Sequence, residues 1–256
     1  MKTVRFERHG RIEEGTWHEG QILDRQGLVV PDAPLLPPVE PRQVLGLALN
    51  YREHAAELDL AEPEDPVLFF KPLTTVIGHQ SPIIFPHGAQ YCHYETELAV
   101  VMGHRGRKIS ESAAWDYILG FTIANDFTCR DFIRNTFRPP VKAKGFDTFL
   151  PLGPCLVGRD EFSNPLQLTL RTEVNGQLKQ EGNTRFLTLS IPQIIAYVSD
   201  FMTLHPYDVI LTGTPPGISP VHPGDIIRCA VGGIGTLENP VIAESELHSG
   251  DAKEAE

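Results

Sequence analysis

Along this chain the apolar residues occur in short runs separated by glycine and proline, and those runs set out the elements. Leu98 to Val101 is apolar and rich in β-branched residues, and Gly120-Phe121-Thr122-Ile123-Ala124-Asn125 is a second run of this kind. Both read as buried strands. Residues 3–24 read as short strands with a turn at His9-Gly10 and further breaks at Gly15 and Gly20. Residues 31–41 then carry five prolines in eleven positions. Such a stretch fits neither a sheet interior nor a helix, so it is expected to be a semi-rigid connector. We therefore expect a small N-terminal β unit with its connector at 1–40 and a main domain at 41–245. Residues 246–256 have almost no apolar content and are expected to form a disordered tail.

Three helices are predicted in the main domain. Asn50, with Glu53 three residues on, is placed to cap one through Leu58; Ser110 opens a second ending near Leu119; Ser190 with Gln193 opens a longer one through about Met202. Leu204-His205-Pro206-Tyr207-Asp208-Val209-Ile210 is echoed by Val221-His222-Pro223-Gly224-Asp225-Ile226-Ile227, each a proline turn feeding a strand. The sum is a β-rich α+β fold with a few flanking helices.

Composition narrows the function. The chain has 256 residues and a net charge of −11, with 22 Lys+Arg against 33 Asp+Glu. That balance disfavours nucleic acid or an anionic membrane as the main partner. No apolar run approaches the length of a membrane-spanning helix, and the first residues lack the apolar core of a signal peptide. Cys92, Cys129, Cys155 and Cys229 are widely spaced and read as free, buried thiols of a cytoplasmic protein.

The chemistry centres on Glu95 and Glu97. Strand side chains alternate faces, so these two point the same way at the mouth of a buried strand. Their repulsion is relieved most simply by a divalent cation, and Asp126, following the second apolar run, supplies a third oxygen donor. Three such donors suit Mg²⁺ or Mn²⁺ better than zinc. The competing reading is a pair of solvated edge-strand glutamates. His54 and Glu57 stand three apart on a predicted helix, where a carboxylate orients an imidazole for general base work, although exposed helices often carry such pairs. Lys144 ahead of Gly145 is placed to offer an ammonium to a substrate carboxylate. Arg130, Arg134, Arg138 and Lys142 surround it with positive charge, either for an anionic metabolite or as a solvated loop. Leu211-Thr212-Gly213-Thr214-Pro215-Pro216-Gly217 is a strand leaving into a tight turn. It lacks the lysine of a phosphate-binding loop.

The order and spacing of these blocks resemble the fumarylacetoacetate hydrolase superfamily from about Val44 to Val241. The matching blocks are Gly46 to His54, Pro66-Val67-Leu68-Phe69-Phe70-Lys71-Pro72, the Glu95/Glu97 strand, Asn125-Asp126, Lys144 with Asp147, Ser190 to Leu204, and Thr212-Gly213-Thr214-Pro215. Within the superfamily the chain is most similar to the isomerase and decarboxylase branch of homoprotocatechuate (4-hydroxyphenylacetate) degradation. Tyr91 to Glu95, Arg138-Pro139-Pro140 and Val231 to Pro240 carry that likeness.

The resemblance implies layered sheets with a barrel-like core, a homodimer or higher homo-oligomer, and Mg²⁺ or Mn²⁺ held by Glu95, Glu97 and Asp126. It also implies a His54–Glu57 lid dyad, with Lys144 as a substrate-side cation and Lys71 and Thr214 as further binding residues. The expected substrate is a small unsaturated oxo-di- or tricarboxylate, with Arg130, Arg134 or Arg138 on its distal carboxylate. The 41–245 domain is then catalytic, a metal-dependent carbon–carbon lyase or isomerase. The rivals are a C–C hydrolase of acylpyruvates, an oxaloacetate decarboxylase, and a metal-stabilised binding protein without catalysis.

Overall fold

The computed structural model describes residues 1–18, 20–58, 65–133, 139–163 and 166–251. Among these, a twelve-stranded sheet dominates. From one edge its main path runs through Val29–Val30, Gln21–Asp24, Arg11–His18, Lys2–Arg8, Leu150–Gly158, Ile118–Asn125, Thr96–Met102, Val209–Leu211, Val44–Ala48 and Val67–Lys71. All neighbours are antiparallel except Val209–Leu211 and Val44–Ala48, which run parallel. A second sheet of five strands contains Gln177–Asn183, Thr169–Val174, Ile226–Val231, Gly235–Ala243 and Ile83–Phe85. A three-stranded patch joins Thr128–Cys129, Cys92–His93 and Pro220–Val221.

The uninterrupted apolar run of the Thr96–Met102 strand has a simple cause: both of its faces are covered. Leu98, Val100 and Met102 join a large core that also takes Ile227, Cys229 and Leu237 from the second sheet. Ala99 and Val101 join a smaller core with Val44, Phe69, Ala124, Leu150, Leu152, Val209 and Leu211. Six strands of one sheet contribute to that smaller core, so the sheet curls around it. Each fully buried Val, Leu or Ile there contributes roughly 1.5–3 kcal/mol. Gly46 makes room for one member, since a Cβ on it would lie 2.2 Å from the Phe69 ring.

The curl does not close into a barrel. Val67–Lys71 forms no ladder with Leu150–Gly158. The chain itself crosses the gap through the single turn Leu73–Thr75 and then pairs Val76–Ile77 in parallel with Leu150 and Pro151.

In the N-terminal unit the turn at His9-Gly10 appears where expected and carries positive φ at both residues (54° and 71°). Gly20 lies between two strands, but Gly15 is no break. It lies inside the Arg11–His18 strand, where a Cβ would come 2.2 Å from the Leu23 carbonyl oxygen. The Lys2–Arg8 strand pairs with Leu150–Gly158, so this unit continues the main sheet, and Leu35–Leu36 within the proline-rich stretch pairs with it in turn. A helix, Glu244–Asp251, occupies the first part of the expected tail, and residues 252–256 lie outside the described ones. The Ser190/Gln193 capping box opens the Ile191–Phe201 helix as anticipated. The other two helices differ. Arg52–Glu57 is capped by Tyr51 without a side-chain bond. Ser110 leads only into turns and a short 3-10 segment, Ala114–Tyr117.

The two echoed proline turns are built alike. In each, an aspartate side chain accepts from the backbone amide of the histidine three residues before it, Asp208 from His205 at 2.7 Å and Asp225 from His222 at 2.8 Å. Among the described residues no helix is long and apolar enough to cross a membrane.

Candidate active site

Antiparallel pairing of Thr96 with Asn125 brings the start of one buried strand beside the end of another. Glu95 immediately precedes the first and Asp126 immediately follows the second. The Asp126 amide donates to the Glu95 carbonyl at 2.9 Å, and the Glu95 amide donates to Asn125 Oδ1 at 3.0 Å. Glu97 lies on the same side of the first strand. One carboxylate oxygen from each of Glu95, Glu97 and Asp126 falls within 4.8 Å of the others, and all three residues are buried. The reading as solvated edge-strand glutamates therefore fails.

Two lysines enter the same cluster. Lys71, the last residue of its strand and fully buried, donates to Asp126 Oδ1 at 2.6 Å and to the Phe127 carbonyl at 3.3 Å. Lys144 ends the single helical turn Val141–Lys144 and donates to Asp126 Oδ2 at 2.5 Å, Thr128 Oγ1 at 2.9 Å and Glu95 Oε2 at 3.0 Å. Its ammonium also stands 4.7 Å from the centre of the Phe69 ring, a favourable cation–π distance. Gly145 follows because a Cβ there would lie 2.3 Å from the Val141 carbonyl oxygen.

Charge is unevenly shared. Burial, reinforced by Asp126 and Glu95, pushes the Glu97 carboxyl well above its ordinary range, and a 2.6 Å bond from the Gly213 amide only partly offsets this. Glu95 is buried too, yet the positive charges of Lys144 and Arg130 hold it below the usual carboxylate range. Burial lowers Lys71 more than Asp126 restores it. For Lys144 the attraction of Asp126 and Glu95 outweighs burial and raises it. Lys71, Lys144 and Arg130 all stand against Asp126 and Glu95, so among the described residues Glu97 is the carboxyl of the three without a cationic side chain paired to it. An all-oxygen set in which one buried carboxyl lacks a cationic partner fits a hard divalent cation.

His54 and Glu57 form the second group. On the six-residue helix Arg52–Glu57 their side chains meet, Nδ1 to Oε2 at 2.9 Å, with His54 buried. The other Glu57 oxygen accepts from the Gly217 amide at 2.9 Å. Asn50 braces the approach to this helix: Nδ2 donates to the Thr212 and Leu189 carbonyls at 2.9 and 3.2 Å, and Oδ1 accepts from the Leu189 amide at 2.8 Å. Its side chain is thus committed across the fold, which explains why it does not cap the helix.

Of the remaining expected residues, Thr214 is buried; its hydroxyl donates to the Thr96 carbonyl and accepts from Gln180. Arg130 lies at the cluster, with a terminal guanidinium nitrogen 3.8 Å from Glu95 and Nε donating to His93 Nε2 at 2.7 Å. Arg134 and Arg138 lie outside the described residues.

Sequence reasoning passed over His93, Thr128, Tyr51 and Gln180. Burial holds the His93 imidazole down to about 3, so it is neutral and able to accept from Arg130. The Tyr51 hydroxyl is buried without a hydrogen-bond partner among the described residues, and burial with the nearby Glu97 and Glu53 charges raises it. The available hints were position alone: Tyr51 stands between Asn50 and the dyad helix, and His93 stands two residues before Glu95 in the Tyr91 to Glu95 block.

Comparison with known proteins agrees with this geometry. Residues 43–242 match the family described as fumarylacetoacetate (FAA) hydrolase C-terminal. A 4-hydroxyphenylacetate degradation bifunctional isomerase/decarboxylase from Salmonella dublin is 44% identical over 205 residues, covering 80% of this chain and 48% of the relative. The chain thus spans about half the length of that relative. The crystal structure of 5-carboxymethyl-2-hydroxymuconate delta-isomerase from Mycobacterium smegmatis superposes with a TM-score of 0.85 at 39% identity, over 95% of this chain and 99% of that one. A 2-hydroxyhepta-2,4-diene-1,7-dioate isomerase from Mycobacterium marinum gives 0.84 at 35% identity, over 95% and 99%. The chain belongs to the fumarylacetoacetate hydrolase family.

Proposed function

We propose that this member of the family is a divalent-cation-dependent isomerase or decarboxylase of an unsaturated oxo-di- or tricarboxylate, with Glu95, Glu97 and Asp126 as the residues that would hold Mg²⁺ or Mn²⁺. The observation that carries this reading is the buried meeting of three carboxylates with two lysines, beside an oriented His54–Glu57 pair. When bound, such a cation supplies Lewis-acid polarisation of a substrate oxygen, worth several kcal/mol in the transition state.

The chain's own residues do the rest. Glu57 fixes the tautomer of His54 with the proton on Nδ1, leaving Nε2 as the basic nitrogen. That nitrogen takes a proton from one substrate carbon and returns it to another in an isomerisation, or delivers one to the carbon that has lost CO₂. Lys71 is fully buried against Asp126, which makes it a charge partner of that carboxylate rather than a substrate contact. Lys144 and Arg130 supply positive charge for an anionic substrate. The names of the relatives support the substrate class.

A hydrolytic reading uses the same residues, with His54 activating water to cut a C–C bond. Turnover of 5-oxopent-3-ene-1,2,5-tricarboxylate, 2-hydroxyhepta-2,4-diene-1,7-dioate, fumarylpyruvate and oxaloacetate, each with and without Mn²⁺, separates the readings. The proposal requires the first or second to be the best substrate; cleavage of fumarylpyruvate in preference would replace it with the hydrolase.

A further inference from the structure

Residues 213–217 touch both halves of the site. The Gly213 amide donates to Glu97 at 2.6 Å and the Gly217 amide to Glu57 at 2.9 Å. The segment has no helix or strand of its own, so something else must hold these two amides in place. That role falls to Gln180, which is 1% exposed and stands on the Gln177–Asn183 strand of the second sheet.

Gln180 Nε2 donates to the Pro215 carbonyl at 2.6 Å and to Thr214 Oγ1 at 2.9 Å. Its Oε1 accepts from Thr172 Oγ1 at 2.7 Å and from the Thr96 amide at 3.4 Å. The carbonyl of Pro215 can only accept, which fixes the orientation of the amide. Thr96 sits between Glu95 and Glu97, and strand alternation turns it to the opposite face, toward the second sheet. Thr214 closes the loop by donating to the Thr96 carbonyl at 2.9 Å. One side chain therefore grips the carboxylate strand from behind and also grips the segment that joins it to the dyad. The packing leaves little slack: a Cβ on Gly182 would lie 2.3 Å from the Pro215 Cβ, and one on Gly217 would lie 2.9 Å from the Gln180 Cα.

We propose that Gln180 is a positioning residue for both halves of the site, setting the Gly213 amide against Glu97 and the Gly217 amide against Glu57. One arm of the test rests on the reading of the carboxylates as cation ligands; the other does not. Gln180→Met keeps the length of the side chain and removes its hydrogen bonds. It should weaken Mn²⁺ binding, measured by calorimetry, about tenfold to a hundredfold, the range for losing a group that orients a metal ligand. In the metal-free protein it should also speed hydrogen exchange of residues 52–58 about fivefold or more, because the seat of Glu57 is loosened.

Asn239→Leu serves as the structural control. It removes a buried side chain that donates to the Gly78 and Ser81 carbonyls, away from this segment. It should lower Tm without moving either readout. Where Gln180→Met does not fold, Gly182→Ala, which presses on Pro215 from the same strand, should give the same two changes. Wild-type protein that binds no Mn²⁺ would overturn the cation reading and leave exchange at 52–58 to decide the role of Gln180. Exchange at 52–58 that matches wild type in whichever variant folds, or that rises equally in Asn239→Leu, would overturn the proposal.

Discussion

Glu57 reaches two partners at once: its carboxylate lies 2.9 Å from His54 Nδ1 on its own helix and 2.9 Å from the amide of Gly217, 160 positions further along the chain. The dyad is thus oriented by tertiary structure as well as by helical spacing. Glu57→Gln keeps an oxygen for one of these contacts and loses the charge that supports an imidazolium. We expect kcat to fall about 10²-fold, and that of His54→Ala by about 10²–10⁴. Steady-state kinetics with KM reported separately checks this; a change confined to KM would remove the dyad from the proton-transfer role.

Burial and the neighbouring Asp126 and Glu95 disfavour a charged Glu97 while no cation is bound. Glu97→Gln puts a neutral group of the same shape there and keeps an acceptor for the Gly213 amide. The metal-free variant is therefore expected to melt no lower than wild type. Added Mn²⁺ should raise the Tm of wild type, because it binds the folded state, and should leave the variant unmoved. Thermal melts at several Mn²⁺ concentrations decide the point, and equal stabilisation of both proteins would count against Glu97 as a ligand.

Arg130 holds His93 through Nε, leaving its terminal nitrogens near the cluster. A guanidinium so placed is suited to grip a carboxylate in bidentate fashion. Arg130→Met should raise KM for the tricarboxylate more than for oxaloacetate, since only the longer substrate loses a contact. Equal effects on both would assign Arg130 to the cluster alone.

His79 offers a pH test independent of the site. Its Nδ1 accepts from the Glu238 amide at 3.1 Å, and burial lowers its pKa from 6.5 despite the opposing pull of Glu238. The folded state therefore resists a proton that the unfolded chain takes up. Stability should be full above pH 6.5 and should decline as the pH falls through that value toward the lower folded-state pKa. Urea midpoints for wild type and His79→Gln between pH 7.5 and 5.5 test it, and the variant should show the shallower decline.

Much of the site was legible because it depends on local spacing. The two-residue period of Glu95 and Glu97 and the three-residue spacing of His54 and Glu57 survive folding unchanged. Long-range commitments were not legible. Asn50 looks like a helix cap until Leu189 and Thr212 claim its side chain. Nothing near Lys71 in the sequence announces the bond to Asp126 that its place at a strand end sets up. The expected Ser110 helix fails for a different reason. Ala113, Ala114, Trp115 and Tyr117 all pack against the core, and four apolar positions within five consecutive residues suit a single tight turn rather than one face of a longer α-helix.

The parallel pairing of Val209–Leu211 with Val44–Ala48 has a consequence for how the protein is made. Synthesis runs from the N-terminus, so Val44–Ala48 can pair early with Val67–Lys71 but must wait for some 160 further residues before its parallel neighbour exists. Until then the ribosome carries a chain whose acidic cluster is complete in sequence while Gly213 and Gly217 have yet to emerge. Closing a loop of that length is slow. A nascent chain stalled before residue 213 should therefore expose apolar strand edges and engage chaperones, whereas one stalled well after residue 243 should already resist proteolysis.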